Sequence, residues 1–235
     1  MNVRKYGQGP RHLLCLHGWS GSHTTFAPLA DPEFTLWCPD LPATTADGVA
    51  NGLASLIRRM PGPVEIVGNC SGAIYGLLAA QRVPVARIVL IDAFAFWPAY
   101  FQLFLIPVWG RLAYMSAFAN PIGRWIANRS LAGHRTEETD LTDGFSRVDH
   151  DATYRHLQIL SSIGPASQFA SARGDIDIVY GERSFAAVRK SAAIWKGIFP
   201  RARQFRLDGA GHLPILEATS QLKTILMQEV PCPVR

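Results

Sequence analysis

Val64-Glu65-Ile66-Val67-Gly68-Asn69-Cys70-Ser71-Gly72-Ala73 reads as a strand, a sharp turn and the first turn of a helix. Valine and isoleucine dominate its first half, as in a strand buried within a sheet. Gly68 and Gly72 stand two residues before and two after Cys70. A strand-to-helix turn tight enough to present a nucleophile needs small residues at those two places. Centred on Ser71, the same pattern would put Asn69 and Ala73 there, a poorer fit. Cys70 is therefore the candidate nucleophile, and the alternative is a buried structural thiol, a common setting for free cysteine.

Outward from this turn, short apolar runs alternate with helical patterns. Strands are expected at Arg11–Leu16, Phe34–Pro39, 63–68, 86–92, Asp175–Gly181 and 202–207. Helices are expected at 49–60, 71–81, 184–198 and 214–228, with Ser184 as an N-cap. Strand followed by helix, repeated, predicts an α/β fold with a mostly parallel, doubly wound sheet and right-handed crossovers.

The alternation fails in the middle of the chain. Residues 93–163 show no convincing strand, and ten of the 24 aromatic residues fall within 94–125. The part from 134 to 154 is acidic and polar. This pattern predicts a helical lid over 93–163, inserted into a core made of 1–92 and 164–235. The apolar stretch 94–106 is too short to cross a membrane and is expected to be a buried or pocket-lining helix. Trp97 and Phe101 lie four apart, so they share a helix face that either lines the substrate pocket or packs the lid's own core.

Composition excludes several classes. The 235 residues suit one α/β domain. The net charge of +5 is dispersed, without the basic stripe that nucleic-acid binding requires. Arg111, Arg124, Arg129 and Arg135 do gather in the lid, where they suit a solvated face or an acidic partner. The four cysteines show no paired spacing and residues 1–6 no apolar leader, so free thiols and a cytoplasmic protein are expected. No membrane span, metal or cofactor is expected.

Two more segments complete the pattern. Leu14-Cys15-Leu16-His17-Gly18-Trp19 is a strand ending in His-Gly, and Leu207-Asp208-Gly209-Ala210-Gly211-His212 places a histidine in a glycine-rich turn after the last strand. Together with the Cys70 turn they resemble the α/β-hydrolase superfamily over nearly the whole chain. The layout is similar to small lid-bearing esterases and thioesterases, such as the pimeloyl-carrier-protein methyl ester esterases, which also carry His-Gly-Trp. The resemblance implies covalent acyl transfer: Cys70 attacks, His212 moves the proton, and the backbone amides of Trp19 and Ser71 hold the oxyanion.

Two features depart from that family's common pattern. A cysteine nucleophile is the minority choice, similar to dienelactone hydrolases and polyhydroxyalkanoate synthases. The usual acid position after the penultimate strand reads Gly181-Glu182-Arg183-Ser184, so a serine stands where relatives carry aspartate. Asp92 is the replacement favoured here, since one branch of haloalkane dehalogenases carries its acid after this earlier strand. Glu182 and Asp208 are weaker candidates. A chain with no acid is also chemically sensible, because a thiol at a helix N-terminus ionises with less help than a hydroxyl.

The expected activity is that of an esterase or thioesterase acting through an acyl-Cys70 intermediate. Its substrate would be a small hydrophobic acyl compound, free or carried on an acyl carrier protein or coenzyme A. One alternative is an acyltransferase or cyclase using the same intermediate. Another is a non-catalytic relative that binds a hydrophobic ligand or partner.

Overall fold

The computed structural model describes residues 1–228, and Cys232 lies outside them. The strand Val64–Asn69 is buried at all six positions and Arg87–Ile91 at all five. Strands buried from end to end demand a sheet covered on both faces. Seven strands form it: β1 Val3–Tyr6, β2 Arg11–Leu16, β3 Phe34–Pro39, β4 Val64–Asn69, β5 Arg87–Ile91, β6 Asp175–Gly181 and β7 Arg203–Leu207. Their spatial order is β1-β3-β2-β4-β5-β6-β7, parallel throughout except for β1 against β3. The α/β-hydrolase architecture expected from the sequence is therefore present. The edge strand β1 is an addition to that expectation, because its Val-Arg-Lys-Tyr has no apolar run to announce it.

Side chains alternate between the two faces, as strand geometry requires. Leu14, Leu16 and Ile66 meet helices α1 (Ala46–Ile57) and α2 (Ser71–Ala80) on one side. Leu13, Cys15 and Val67 meet the turn His23–Leu29 and a C-terminal helix on the other.

Between β5 and β6 the chain forms an inserted helical region without a strand. It contains α3 Ala99–Gln102, α4 Trp109–Tyr114, a π turn at Met115–Ala119, α5 Pro121–Ser130 and α6 His150–Ser161. The stretch 94–106, expected as a buried or pocket-lining helix, does supply cavity-lining residues such as Phe94 and Phe104, but it is not one helix. Only four of its residues are α-helical, and Tyr100, Leu103 and Ile106 face outward. At Ala166 and Phe169 the chain is back in the core, with the Phe169 ring 6.0 Å from that of Trp195.

Helix bounds also differ, and α1 begins and ends three residues earlier than the expected 49–60. Helix α7 covers Ala186–Ile198 and is preceded by Phe185 with no side-chain cap, so Ser184 is not its N-cap. The hydroxyl of Ser184 is engaged elsewhere, as described below. The C-terminal helix is two, α8 Pro214–Glu217 and α9 Thr219–Met227, broken at Ala218. Among the described residues no helix is long and apolar enough to cross a membrane.

The strand order places the site. After β2 the chain runs outward to β3, then returns to β4 on the other side of β2. Ligands in open parallel sheets bind where the order reverses, at the carboxyl ends of the strands. Gly18 follows β2 and Cys70 follows β4 at this crevice, and the next strand end carries Asp92.

Candidate active site

Cys70 sits at the turn in a left-handed backbone conformation, with φ 51° and ψ −117°. A side-chain-bearing residue is strained there, and the surrounding backbone enforces it. The Cys70 amide donates to the Ile91 carbonyl at 2.7 Å, locking the turn to β5. The two glycines follow from contact. A Cβ on Gly68 would come within 2.3 Å of Ala73 Cα, and one on Gly72 within 2.0 Å of the Leu16 carbonyl oxygen.

Asp92 begins the insertion with its own left-handed backbone, φ 48°, and is fully buried. Its Oδ1 accepts from the Gly181 amide at 3.0 Å. Its Oδ2 accepts from the Ser184 hydroxyl at 2.6 Å and lies 2.8 Å from His212 Nδ1. Ser184 Oγ is also 3.1 Å from that nitrogen. A carboxylate only accepts, so the proton on this side of the ring belongs to Nδ1, leaving Nε2 for the thiol.

Burial alone would lower the basicity of His212. Hydrogen bonding to Asp92 and to Cys70 outweighs it, and the imidazole pKa is pushed up to about 10. The ring is held by Phe185, with centroids 4.6 Å apart, and by Phe94 at 5.7 Å. Its backbone amide donates to the His134 carbonyl at 2.8 Å, so the insertion helps to hold the histidine turn.

The weaker acid candidates lie elsewhere. Glu182 accepts from the Gly209 amide at 2.9 Å, and Asp208 pairs with Arg206 at 3.1 Å on the surface. Cys15 and Cys38 are buried among sheet side chains, as their apolar context led one to expect.

The loop after β2 passes directly over the thiol. A Cβ on Gly18 would lie 3.1 Å from Cys70 Cβ, so only glycine permits this approach without displacement. His17 is buried, and its Nδ1 lies 2.9 Å from the Gly18 carbonyl oxygen, fixing the loop. Burial lowers its pKa and keeps it neutral. The Trp19 amide belongs to this loop, and Ser71 opens α2, where the first amides of a helix have no intrahelical partner. Ser71 thus follows Cys70 in the chain, and Trp19 follows the Gly18 that lies against it.

A cavity of about 1160 Å³ lies beneath the insertion and reaches Cys70 and His212. Trp97 and Phe101 both line it, and they also pack on one another with centroids 5.1 Å apart. Trp97 lies before α3, so the shared helix face expected from the spacing is not formed, yet the pair both lines the cavity and packs within the insertion. Phe101 in turn meets the Trp19 indole edge-on at 5.8 Å. That indole donates to the Thr153 carbonyl at 2.9 Å and packs against Phe118 and Phe145.

Sequence reasoning missed the part played by Ser184. Its presence in the usual acid position was the available signal, but it was read as the loss of a carboxylate and as a helix N-cap. In the structure its hydroxyl clamps the carboxylate that stands in for it. Removing one hydrogen bond to a buried charge costs about 1.5–3 kcal/mol. Ser184→Ala is predicted to lower kcat about tenfold with little change in KM. Steady-state kinetics would check it, and an unchanged kcat would refute this role.

Residues 13–222 match the alpha/beta hydrolase family, and the chain belongs to it. Among solved structures it is similar to a thermophilic esterase from Thermogutta terrifontis, with 16% identity, 96% of this chain and 90% of that one covered, and a TM-score of 0.76. The enol-lactonase from Burkholderia xenovorans LB400 shares 11% identity, with coverage of 96% and 94% and a TM-score of 0.75. A carboxylesterase of the ammonia-oxidizing thaumarchaeon Nitrososphaera gargenis shares 15%, with coverage of 96% and 92% and a TM-score of 0.73. At these identities the likeness is one of fold. No curated protein matches the chain.

Proposed function

We propose that this protein is an esterase or thioesterase-type acyl-transfer enzyme with Cys70 as its nucleophile and His212, supported by Asp92, as its acid and base. The observation that carries this reading is the 2.8 Å contact between His212 Nδ1 and the buried Asp92 carboxylate, beside a thiol on a strained turn. Structural neighbours named as esterase, lactonase and carboxylesterase support the chemistry without fixing the substrate.

In the first half-reaction Cys70 Sγ, as thiolate, attacks the carbonyl carbon of the bound ester or thioester. The oxygen that gains charge is met by the Trp19 and Ser71 amides. The tetrahedral adduct collapses, and His212 Nε2–H gives its proton to the departing alcohol or thiol. In the second half a water molecule gives a proton to Nε2 and attacks the acyl-Cys70 carbonyl; the acid and thiolate are then released. The role of Asp92 is to orient the ring and stabilise the imidazolium, not to take its proton.

The cavity wall favours a hydrophobic acyl group. Trp97 and Phe101 face it, and ligand pockets of mainly apolar lining select by shape and burial. A Trp97→Ala/Phe101→Ala variant is predicted to lose about tenfold or more in kcat/KM for long or aromatic acyl substrates, on the scale of lost side-chain burial, and far less for acetyl esters. Equal losses for all substrates together with a lowered Tm would assign the pair to packing instead.

The direct test of the mechanism is intact-mass spectrometry after incubation with a panel of acyl esters and acyl thioesters. The expected result is a mass increase of one acyl group that maps to Cys70. Adding a competing amine or thiol and analysing the products separates hydrolysis from transfer or cyclisation. Labelling of Cys70 by iodoacetamide no faster than that of Cys232, with no adduct from any substrate, would favour the non-catalytic reading.

A further inference from the structure

Thirteen large apolar side chains are exposed among the described residues, and ten of them lie between Phe96 and Ile126. Isolated exposed apolar residues are ordinary on protein surfaces, whereas a concentration of them marks a contact surface. Here the helices are turned inside out. In α5, Ile122, Trp125 and Ile126 share one face by their spacing and all point outward. On its inner side, Gly123 approaches the π turn so closely that a Cβ would fall 1.8 Å from the Ser116 carbonyl oxygen. Helix α4 repeats the arrangement. Gly110 is buried against Phe104, while Trp109 is 69% exposed and Leu112 faces solvent beside it.

The turn that leads into α4 carries a second, independent oddity. Val108 has φ 67° and is 80% exposed. A β-branched residue in the left-handed region is an outlier that costs free energy. The chain bears this strain at a position where the side chain gains no burial within the molecule.

Charge selects the partner. From Ala93 to Thr136 the sequence carries four arginines and no aspartate or glutamate. Arg129 is exposed one turn beyond Trp125, on the same side of α5. Arg111 is exposed beside Trp109 and pairs with Asp151 at 2.6 Å, and Arg124 turns back onto the carbonyls of Phe118 and Ala119. Outward Trp, Ile, Leu and Val with arginine at the margin are the features of elements that lie in a membrane interface.

We infer that this face docks on an anionic lipid surface, with Val108, Trp109 and Trp125 seated at the headgroup boundary and Arg129 against lipid phosphate. The docking itself does not depend on the acyl chemistry. Its use does rest on that proposal: Phe96 and Tyr100, in the same exposed apolar stretch of the insertion, line the cavity that reaches Cys70.

The test is cosedimentation of the full chain with vesicles of phosphatidylcholine alone and with phosphatidylglycerol added. Binding is expected to the anionic vesicles, to weaken as salt is raised, and to be accompanied by a blue shift of tryptophan fluorescence. Trp109→Ser/Trp125→Ser should reduce this binding by about tenfold or more, with Tm and hydrolysis of a soluble short ester unchanged. Arg129→Glu should weaken binding to anionic vesicles only. Cys70→Ala should bind as the parent does, so failure of the mechanism and failure of the docking are told apart. Equal sedimentation with and without vesicles would overturn the inference. So would a dimer in solution that dissociates in the double tryptophan variant, because a second copy would then cover the face.

Discussion

Cys70→Ala is expected to abolish turnover and every covalent acyl adduct, with kcat falling by roughly 10⁴-fold or more, the scale seen when a nucleophile is removed. The fold should persist. Alanine keeps the Cβ that already tolerates the left-handed turn, and Gly68, Gly72 and the amide bond to Ile91 are untouched. An unchanged Tm with no acyl adduct is the predicted outcome, and near-normal turnover would sink the mechanism. Cys70→Ser separates thiol chemistry from the general arrangement. With Asp92 2.8 Å from His212 Nδ1, the serine variant should retain activity above that of Cys70→Ala on the proposed mechanism. It should remain well below the parent, since a hydroxyl ionises far less readily than a thiol.

The second large effect is expected from Asp92→Asn, a loss in kcat of about 10- to 10³-fold. A serine triad suffers roughly 10⁴-fold from the same exchange. The thiol needs less help from the base, which sets the smaller figure. The pH profile provides a sharper readout than the rate. Hydrogen bonding to Asp92 is one of the effects that raise His212 to about 10, so its removal must shift the alkaline limb to lower pH. The same raised pKa stabilises the fold. Measured against the ordinary value of 6.5, the contribution is complete below that pH and is lost as pH climbs through about 10. Ser184→Asp offers a rescue. Ser184 Oγ stands 3.1 Å from His212 Nδ1, so a carboxylate at 184 reaches the ring. In the Asp92→Asn background it should restore part of the lost rate. Placed beside an intact Asp92 it should instead crowd two like charges and reduce activity.

Much of the sheet was legible because buried parallel strands write themselves as short apolar runs. Arg11–Leu16, Phe34–Pro39 and Asp175–Gly181 were bounded to the residue. β1 was not, since an edge strand needs only one buried face and four residues. The Cys70 turn was legible because its glycines answer a contact constraint that any such turn imposes. Ser184 shows the reverse case. Its bond to Asp92 spans 92 residues of sequence, and no local pattern encodes a contact of that kind. The insertion was legible as helical from its lack of strand patterns, but the direction its apolar faces take was not. Periodicity reveals that α4 and α5 have an apolar side, but not whether that side meets the core or faces away from it. The small residues opposite, Gly110 and Gly123, were the overlooked sign of which side packs inward.

Trp19 gives these parts a common fate. Its backbone belongs to the loop that grazes Cys70, while its indole is anchored in the insertion by Thr153 and by the rings of Phe101, Phe118 and Phe145. On the proposed mechanism, one residue thus carries an anion-binding amide at one end and a latch on the substrate chamber at the other. On that mechanism, a substitution that frees the indole from the insertion would disturb the oxyanion amide as well, without touching Cys70 or His212.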